Sequence, residues 1–368
     1  MNSPEELIYL ARNKKWLVWK DNFLELAGKD LALHKFKKYE LVALRLLSIE
    51  TASNLVKLAS VSLDTLQNNL NHPEYKHYQT KKKKGGSRLI NAPTGELKKI
   101  QKRLNNYLQA YYLCLKPKEV HGFVLLAPLI QQRSNIVANA EVHVGKKFVL
   151  NLDLKDFFPS ITAKRVKAFF MSPLFNYNEQ IANALTLLCT FQGKLPIGAP
   201  TSPVISNFIC LKLDADLQNF CAANELNYSR YADDLSFSSN SSISNDTILD
   251  LINLITKNDF TVNYKKLRLK SSNKRQTVTG ITVNEKVNVN RVLLKKIRAM
   301  LHDLTSNGLE VATHKHFKFN GFVDQKYKER FLFRLKGYIN FIGQVRGKED
   351  FIFLKFRNEL KMILIEIT

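Results

Sequence analysis

Residues 226–238 read LNYSRYADDLSFS, in which apolar and polar residues alternate on both sides of two adjacent aspartates, Asp233 and Asp234. This alternation predicts two short strands joined by a tight turn at Ala232-Asp233. An isolated pair of aspartates is most often only a turn. Two carboxylates at the tip of an apolar hairpin repel each other, however, and a bound cation would relieve that repulsion.

A third aspartate follows a second apolar run. Residues 148–154 read FVLNLDL, which is typical of a strand buried on both faces, and Asp153 lies near its end. Mg²⁺ prefers carboxylate and phosphate oxygens, and two such ions about 4 Å apart can promote an in-line phosphoryl displacement. Asp153, Asp233 and Asp234 are therefore candidate ligands of two Mg²⁺ ions in one active site.

The charge of the chain indicates a polyanionic partner. The 368 residues include 56 Lys and Arg against 32 Asp and Glu, a formal net charge of +24. Such an excess is self-repelling unless a polyanion neutralises it, and nucleic acid is the commonest such polyanion. An anionic membrane surface is the next candidate. We expect no membrane contact, because no apolar run is long enough to span a bilayer.

Location and redox state are predicted from the same composition. The acidic start of the chain and the absence of an apolar segment after it argue against a signal peptide, so we expect a cytoplasmic protein. Four scattered cysteines lack paired metal-ligand spacing and are interpreted as buried apolar residues. We expect neither a disulfide nor a zinc site.

The coarse pattern divides the chain into helical and mixed parts. Residues 1 to about 75 are expected to be helical, and residues 81–93 to form a hairpin with lysines near its tip. Helices are predicted at 96–115, 163–170, 178–191 and 202–222, and strand-like stretches at 260–262 and 278–283. The last 78 residues, from Arg291, are predicted to be helical and carry 16 basic against 8 acidic residues.

Several blocks resemble reverse transcriptases, and they occur in the order of that family. Residues 231–234 (YADD) resemble the Tyr-x-Asp-Asp box, residues 151–161 (NLDLKDFFPSI) the first catalytic motif, and residues 195–203 (LPIGAPTSP) the loop before the helix that contacts template and nucleotide. Residues 87–90 and 97–101 resemble the fingers motif. Together the blocks span roughly residues 81–280.

Within that superfamily the chain most resembles bacterial retron enzymes. Residues 139–143 (NAEVH) match the Asn-Ala-x-x-His element of that group, and residues 278–280 match its Val-Thr-Gly element. Residues 121–123 and 337–342 fit the same group. The resemblance implies a structured non-coding RNA as template, priming from a 2′-hydroxyl of a guanosine, a branched RNA–DNA product, and a role in anti-phage defence.

The implied fold is α+β: a right-hand polymerase with fingers, palm and thumb behind a helical N-terminal extension. We predict an extension at 1–75, fingers at 76–145, a palm at 146–285 with a helical insert at about 161–195, and a basic helical thumb at 286–368. The length after Gly280 leaves room for a thumb but not for an RNase H domain or a homing endonuclease.

The resemblance also implies roles for single residues around the nucleotide. Lys266 matches a lysine proposed to protonate pyrophosphate, although Lys265 could be that residue. Arg88, with one of the lysines at 81–84, matches residues that grip the triphosphate, while a solvated loop is the alternative for the lysines. The nucleotide-binding residues that the resemblance implies besides Arg88 are Phe158, a steric gate against a 2′-hydroxyl, Gly198, which allows close approach, and Leu154.

Two positions near the nucleotide, Phe158 and Ile197, need further comment. A core phenylalanine is the competing interpretation of Phe158, since Phe157 lies beside it. Ile197 stands where many reverse transcriptases have Gln, so a hydrogen bond near the nucleotide is missing and fidelity or affinity is expected to differ.

RNA recognition is assigned to two places. The resemblance suggests that Asn139 and His143 help to recognise the cognate RNA, although a lone histidine is more often structural. Arg291, Lys295 and Arg298 recur at helical spacing on one face, opposite an apolar face that could pack on the palm. The basic face could follow a phosphate backbone, and a solvated helix face is the alternative.

The predicted partners are the cognate RNA, its complementary DNA, deoxynucleotides and an effector protein whose identity the sequence does not reveal. Alternative functions are a reverse transcriptase of the abortive-infection type, an intron-derived enzyme, or a catalytically idle RNA-binding scaffold or antitoxin. Loss of any one of the three aspartates would have favoured the scaffold, and all three are present.

Overall fold

The first part of the chain is helical. The computed structural model describes residues 3–81, 85–125, 133–318 and 323–367. Six helices come first: α1 (Pro4–Asn13), α2 (Lys15–Val18), α3 (Phe23–Lys29), α4 (Lys38–Leu47), α5 (Ala52–Ala59) and α6 (Leu63–Asn71). The side chains of Ser3, Thr51 and Ser62 accept backbone N–H groups at the starts of α1, α5 and α6, which defines those starts.

A two-stranded hairpin and a long helix follow. Strand β1 (Tyr75–Lys81) pairs antiparallel with β2 (Ser87–Pro93), and Lys81 lies opposite Ser87. Gly85 and Gly86 have positive φ between the strands, a conformation that suits glycine. The predicted hairpin is confirmed, while lysines 82–84 lie outside the described residues. Helix α7 (Gly95–Leu115) packs against α4, as its apolar face predicts.

A four-stranded antiparallel sheet forms the centre of the molecule. Helix α8 (Ile136–Glu141) precedes β3 (Phe148–Asp153), which is followed by α9 (Phe157–Ser160), α10 (Ala163–Met171), α11 (Glu179–Cys189), α12 (Ser202–Ile209) and α13 (Leu211–Ala223). Strands β4 (Asn227–Tyr231) and β5 (Asp234–Ser239) come next, then α14 (Asn245–Lys257), a short 3-10 helix (Tyr264–Lys266) and β6 (Arg268–Ser271). The strand order is β4-β5-β3-β6, so β3 is paired on both sides, as its apolar sequence predicts.

Two of the predicted elements are wrong in detail. The helix predicted at 202–222 is two helices, α12 and α13, which are separated at Cys210, where ψ is −6°. Residues 260–262 form no strand: Val262 makes a single bridge to Leu154, and Phe260 is buried in the core instead. Short apolar runs of this kind do not distinguish a strand from a packed loop.

The C-terminal part is a helical unit with its own core. A small hairpin of β7 (Thr277–Val278) and β8 (Ile281–Thr282) leads to α15 (Arg291–Phe317), α16 (Gln325–Arg346) and α17 (Phe351–Ile367). Gly308 has φ 74° and interrupts α15 with a kink. The apolar face of α15 packs on α16 and α17, in a core shared with Val149 of β3 and with the β7–β8 hairpin.

Candidate active site

The two acidic motifs meet on neighbouring strands. Asp153 at the end of β3 is the direct antiparallel partner of Asp234 at the start of β5. Directly opposed residues point to the same face of a sheet, with their Cβ atoms about 5 Å apart. Asp233 lies in the turn between β4 and β5, directly before Asp234, and its carbonyl accepts the N–H of Leu154 at 3.0 Å. The fold therefore gathers three carboxylates from two distant parts of the sequence.

Asp153 is held by residues that follow α14. Its side chain is buried, with 5% of its surface exposed. Lys266 donates from Nζ to Asp153 Oδ1 at 2.5 Å, and Asn263 donates from Nδ2 to Oδ2 at 3.2 Å. The Asn263 N–H also donates to the Asp153 carbonyl at 2.7 Å. Lys266 thus lies at the carboxylates, while Lys265 is exposed in the same 3-10 helix.

The charges at this point are only partly balanced. Removal from water and the charge of Asp153 raise the pKa of Asp233. The same removal from water, with the charges of Asp233 and Asp153, raises the pKa of Asp234 to about 6. Burial by itself would lower the pKa of Lys266, but its hydrogen bond to Asp153 and the surrounding carboxylates raise it. One ammonium does not neutralise three carboxylates, so the site can take up further positive charge.

The donor set fits divalent cations. Carboxylate oxygens are the ligands that hard cations prefer. Burial and the neighbouring carboxylates raise the pKa of both Asp233 and Asp234, and a bound cation would offset both effects. Within the described ranges, no three His, Cys, Asp or Glu side chains converge closely enough to hold an ion as they stand. Asp153 faces Lys266 instead, so ligation by all three aspartates requires their side chains to turn.

A cleft of about 850 Å³ opens in front of the carboxylates. Its walls come from the β1–β2 hairpin, from β6 and from the β7–β8 hairpin, and Asp153 and Asp234 line it. Five cationic side chains also line it: Lys81, Arg88, Lys266, Arg268 and Lys270. Among the described residues, only Lys266 of these five forms an ion pair with a carboxylate. The cleft therefore combines carboxylates that suit metal ions with cationic side chains that are not paired with a carboxylate and that suit phosphates.

The predicted nucleotide-binding residues are distributed unevenly around this cleft. Arg88 lines it, whereas Phe158, Leu154 and Gly198 do not. Leu154 is buried in the core with 1% exposure, and its N–H is already bonded to the Asp233 carbonyl. Its predicted contact with a nucleotide does not fit this burial. The role of Arg88 stays a prediction that its position favours.

The two neighbouring phenylalanines differ in their surroundings. Phe157 is buried and lies 5.8 Å, centroid to centroid, from Phe260 of the core. Phe158 is half-buried and lies 5.7 Å from Phe123, at the edge of the core. Phe157 is therefore the structural residue of the pair. Phe158 is partly exposed, and its role as a gate stays a prediction.

Gly198 lies against the fingers hairpin. Its φ is +113°, and a Cβ atom there would come within 2.7 Å of the Ile90 side chain and 3.3 Å of the Asn91 carbonyl. The Asn91 N–H donates to the Ile197 carbonyl at 2.7 Å. Glycine is therefore required at position 198 because the chain lies close to β2. The contact of Gly198 with a nucleotide stays a prediction.

Asn139 and His143 lie in the interior. Both have 0% exposure. His143 bonds Ser238 Oγ through Nδ1 at 2.7 Å and Ser229 Oγ through Nε2 at 2.8 Å, which ties the end of α8 to β4 and β5. Burial lowers the pKa of His143 to about 3, so the ring is neutral. Direct contact of these two side chains with RNA does not fit their burial, because neither reaches the surface.

This motif nevertheless adjoins the cleft. The Thr279 hydroxyl donates to the Ile136 carbonyl of α8 at 3.1 Å, and both residues line the cleft together with Gly280. The Gly145 N–H donates to the Val283 carbonyl at 3.0 Å. The Asn-Ala-x-x-His and Val-Thr-Gly elements are therefore one packed unit, which the sequence order did not reveal.

The three basic residues of α15 are exposed. Arg291, Lys295 and Arg298 lie on one side of the helix, while Ile297, Met300 and the following leucines are buried. The apolar face of α15 contacts mainly α16 and α17.

Among the described residues, no helix is both long enough and apolar enough to cross a membrane.

Sequence reasoning missed several residues of the site. Asn263 was not recognised as a partner of Asp153, and Arg268 and Lys270 were not recognised as lining the cleft. Alternate residues of a strand share one face, so the spacing of the two cations was a usable signal once β6 was known. The signal for Arg230, a buried cation beside the Asp-Asp turn, was its position two residues after Tyr228 and four after Leu226, where the alternation predicts an apolar residue.

Comparison with known proteins assigns the family. The sequence model of the family described as reverse transcriptase (RNA-dependent DNA polymerase) matches residues 80–332. The chain belongs to the reverse transcriptase family. It is accordingly an RNA-directed DNA polymerase that acts on nucleic acids, and its family generally uses divalent metal ions. The predicted family and the α+β right-hand polymerase fold are both confirmed.

The curated relatives include retron enzymes. The Ec86 retron reverse transcriptase of Escherichia coli is 35% identical over 271 residues, which cover 71% of this chain and 81% of that protein. The Mx65 retron reverse transcriptase of Myxococcus xanthus is 34% identical over 62% of this chain and 56% of its own length. The predicted retron resemblance is confirmed by these similarities.

Solved structures of other reverse transcriptases are more distant. Telomerase from Candida albicans, in complex with a TWJ fragment of telomeric RNA, aligns with a TM-score of 0.45 and 10% identity over 80% of this chain and 64% of that chain. A foamy viral protease–reverse transcriptase in complex with double-stranded DNA aligns with a TM-score of 0.38 and 17% identity, over 73% of this chain and 36% of that one.

Proposed function

We propose that this reverse transcriptase copies a structured non-coding RNA into a branched RNA–DNA product by nucleotidyl transfer with two Mg²⁺ ions, and that it acts in cytoplasmic anti-phage defence. The observation that carries the catalytic part is the placement of Asp153 directly opposite Asp234, with Asp233 in the adjoining turn. The retron part is supported by similarity to retron enzymes over most of the chain. An effector protein partner remains a prediction.

The three aspartates would hold the metal ions. When bound, Mg²⁺ activates the primer hydroxyl and stabilises the charge on the triphosphate and the leaving pyrophosphate. Asp153 is the carboxylate that the 3-10 helix and the residue before it orient, through Lys266 and Asn263. Asp233 and Asp234 come from a turn whose strands are paired in the sheet, so the backbone that carries them is rigid, and only rotation of the aspartate side chains is needed to bring the three carboxylates to the metal ions.

Lys266 would serve as the proton donor. Its Nζ carries a proton at neutral pH, because the neighbouring carboxylates raise its pKa. A protonated ammonium beside the site of bond breaking can transfer a proton to the departing pyrophosphate oxygen, which makes pyrophosphate a better leaving group. Lys265 is exposed and makes no described contact with an aspartate, which favours Lys266 for this role.

The cations of the cleft would bind the remaining phosphates. Arg88 projects from β2 into the cleft, and Lys81 lies opposite Ser87 on the paired strand. A guanidinium meets two phosphate oxygens at once, so Arg88 suits the triphosphate. We also assign the subdomains: the extension to residues 1–75, the fingers to 76–145, the palm to 146–285 with its insert, and the thumb to 286–368. With these bounds the β1–β2 hairpin belongs mainly to the fingers, and β6 and the β7–β8 hairpin belong to the palm.

The test is to sequence the nucleic acid that co-purifies with the protein expressed in a bacterium that carries its native locus. One RNA species joined covalently to its own complementary DNA, and absent from an Asp233→Asn preparation, is the expected result. Untemplated DNA would indicate the abortive-infection type, and spliced intron RNA an intron-derived enzyme. RNA without any DNA, from wild type and variant alike, would leave only the RNA-binding scaffold.

A further inference from the structure

A buried ion pair lies directly beneath the turn that carries Asp233. Arg230 is the second-last residue of β4 and has 0% exposure, and Asp214 of α13 has 1%. Arg230 Nε donates to Asp214 Oδ1 at 2.7 Å, and Nη2 donates to Oδ2 at 2.6 Å, a bidentate contact. The Tyr228 hydroxyl donates to the same carboxylate at 2.8 Å.

The remaining donors of Arg230 reach the turn. Its Nη1 donates to the Ala232 carbonyl at 3.2 Å and to Asn207 Oδ1 at 3.0 Å. Ala232 has φ +59°, a left-handed conformation that is unfavourable for a residue with a Cβ atom. An unfavourable backbone conformation persists only where its surroundings impose it. Arg230 supplies one such constraint, at the carbonyl between Ala232 and Asp233.

A second constraint on Ala232 comes from Gly122, which contacts the N-terminal side of this residue. A Cβ atom on Gly122 would lie 2.4 Å from the Ala232 N and 3.1 Å from the Tyr231 Cα, so the chain at Gly122 touches the turn. Asn207 Nδ2 donates to the Gly122 carbonyl at 3.0 Å, while Asn207 Oδ1 accepts from Arg230. One asparagine therefore couples the two constraints, and the His-Gly-Phe element at residues 121–123 obtains a structural explanation.

Stability alone does not explain this arrangement. Taking a guanidinium and a carboxylate out of water is costly, and apolar residues of similar volume often replace a buried ion pair without loss of stability. What apolar residues cannot supply is a fixed donor at the Ala232 carbonyl. That donor holds the peptide that joins Ala232 to Asp233, the first of the two turn carboxylates.

We propose that Arg230, oriented by Asp214 and Asn207, is a positioning residue that holds the Ala232–Asp233 turn in its left-handed conformation and thereby sets the carboxylate geometry for metal binding. This proposal rests on the metal-ligand role proposed above for Asp153, Asp233 and Asp234. Arg230 touches neither nucleotide nor metal, and it acts through the backbone of the turn. Removal of the Arg230 side chain is expected to weaken metal binding in protein that still folds.

The experiment replaces the pair by apolar residues in the full chain. Arg230→Met with Asp214→Leu removes both charges and leaves no buried ion unpaired. Mn²⁺ binding is followed by electron paramagnetic resonance without nucleotide, and thermal unfolding is measured in the same samples. The expected result is a Mn²⁺ affinity weakened roughly 10-fold, as for other residues that orient metal ligands, measured at a temperature at which both proteins are folded. The unfolding temperature should fall, because the Tyr228 hydroxyl, Asn207 Oδ1 and the Ala232 carbonyl lose their buried partners.

Two further variants keep the outcome interpretable. Arg230→Lys retains a charge for Asp214 but cannot bond Asp214 and the Ala232 carbonyl together, so it is expected to weaken Mn²⁺ binding as well. Arg346→Met with Asp350→Leu removes a part-buried ion pair of the thumb and is expected to leave Mn²⁺ binding unchanged. Wild-type Mn²⁺ affinity in folded Arg230 variants overturns the positioning role. Absence of Mn²⁺ binding in the wild type itself refutes the metal-ligand role instead.

Discussion

Asp153 and Asp234 are direct partners across the ladder of β3 and β5, and this pairing joins two motifs that are 81 residues apart in the sequence. Their side chains share one face of the sheet because directly opposed residues of antiparallel strands do so. The register of one strand pair thus decides whether the two motifs form a site. A slip by one residue would turn one carboxylate to the opposite face.

The first prediction concerns the turn aspartate. Asp233→Asn is expected to abolish DNA synthesis and to leave RNA binding largely intact, because the amide lacks the charge that attracts Mg²⁺ while its shape is the same. Asp153→Ala is expected to do the same. Primer extension with Mg²⁺ and RNA binding by filter assay measure the two effects. Asp250→Asn, an exposed position on α14, is the matched control, and near wild-type extension by Asp233→Asn would contradict the assignment.

A second prediction separates the neighbouring phenylalanines. Phe158→Ala is expected to admit ribonucleotides, with discrimination falling by orders of magnitude, because it removes the bulk that meets a 2′-hydroxyl. Phe157→Ala should instead destabilise the protein by about 3–5 kcal/mol, since it empties a buried site. Single-nucleotide incorporation of dNTP and rNTP, with thermal unfolding, distinguishes the two. An unchanged preference in Phe158→Ala would reduce Phe158 to a packing residue.

Acid stability should depend on His143. The pKa of this ring is about 3 in the folded protein, below the ordinary 6.5, because it is buried. The unfolded chain therefore binds the proton first as the pH falls below 6.5, and stability is lost between about pH 6.5 and pH 3, by up to about 1.4 kcal/mol per pH unit. Above pH 6.5 this contribution is constant.

The variant that tests it is His143→Gln, whose amide can donate to one serine and accept from the other but does not titrate. We expect a loss of about 1 to 3 kcal/mol at pH 7 and a shallower decline of stability toward low pH, measured by urea unfolding. His72→Gln, at an exposed position, is the control for replacing a histidine elsewhere in the chain. A His143→Gln curve parallel to that of wild type would show that this ring does not titrate as stated.

The last prediction concerns the basic face of α15. Replacing Arg291, Lys295 and Arg298 together by Gln is expected to weaken binding of the co-purified RNA and to flatten its dependence on log salt by roughly two units, because each phosphate contact releases condensed counterions. Stability should change little, since these side chains are exposed. Affinity is measured across a salt titration.

A matched control removes the same charge elsewhere. Arg12, Lys38 and Lys57 are exposed on the N-terminal helices, and their replacement by Gln should leave the salt slope as in wild type. Equal slopes for all three proteins would place the RNA-binding surface on the fingers lysines or at the cleft rather than on α15.

The sequence by itself determined the family and the α+β class through the resemblance of its ordered motifs to those of reverse transcriptases. It also predicted the strands and the turn that carry the three aspartates, because strand periodicity and the Asp-Asp turn are local properties of the chain. It also predicted the fingers hairpin from Gly85-Gly86 and the long α7 from its apolar face. It placed one helix at 202–222 where the structure has two, since the break at Cys210 carries no local signal.

Only the tertiary structure decided which side chains meet. Lys266 reaches Asp153 because the 3-10 helix lies over the end of β3, and His143 is buried because α8 packs on the sheet. Arg230 pairs with Asp214 across two elements that the sequence does not connect. These contacts depend on register and packing between distant segments, and the free energy that selects them comes from burying the whole core rather than from any local pattern.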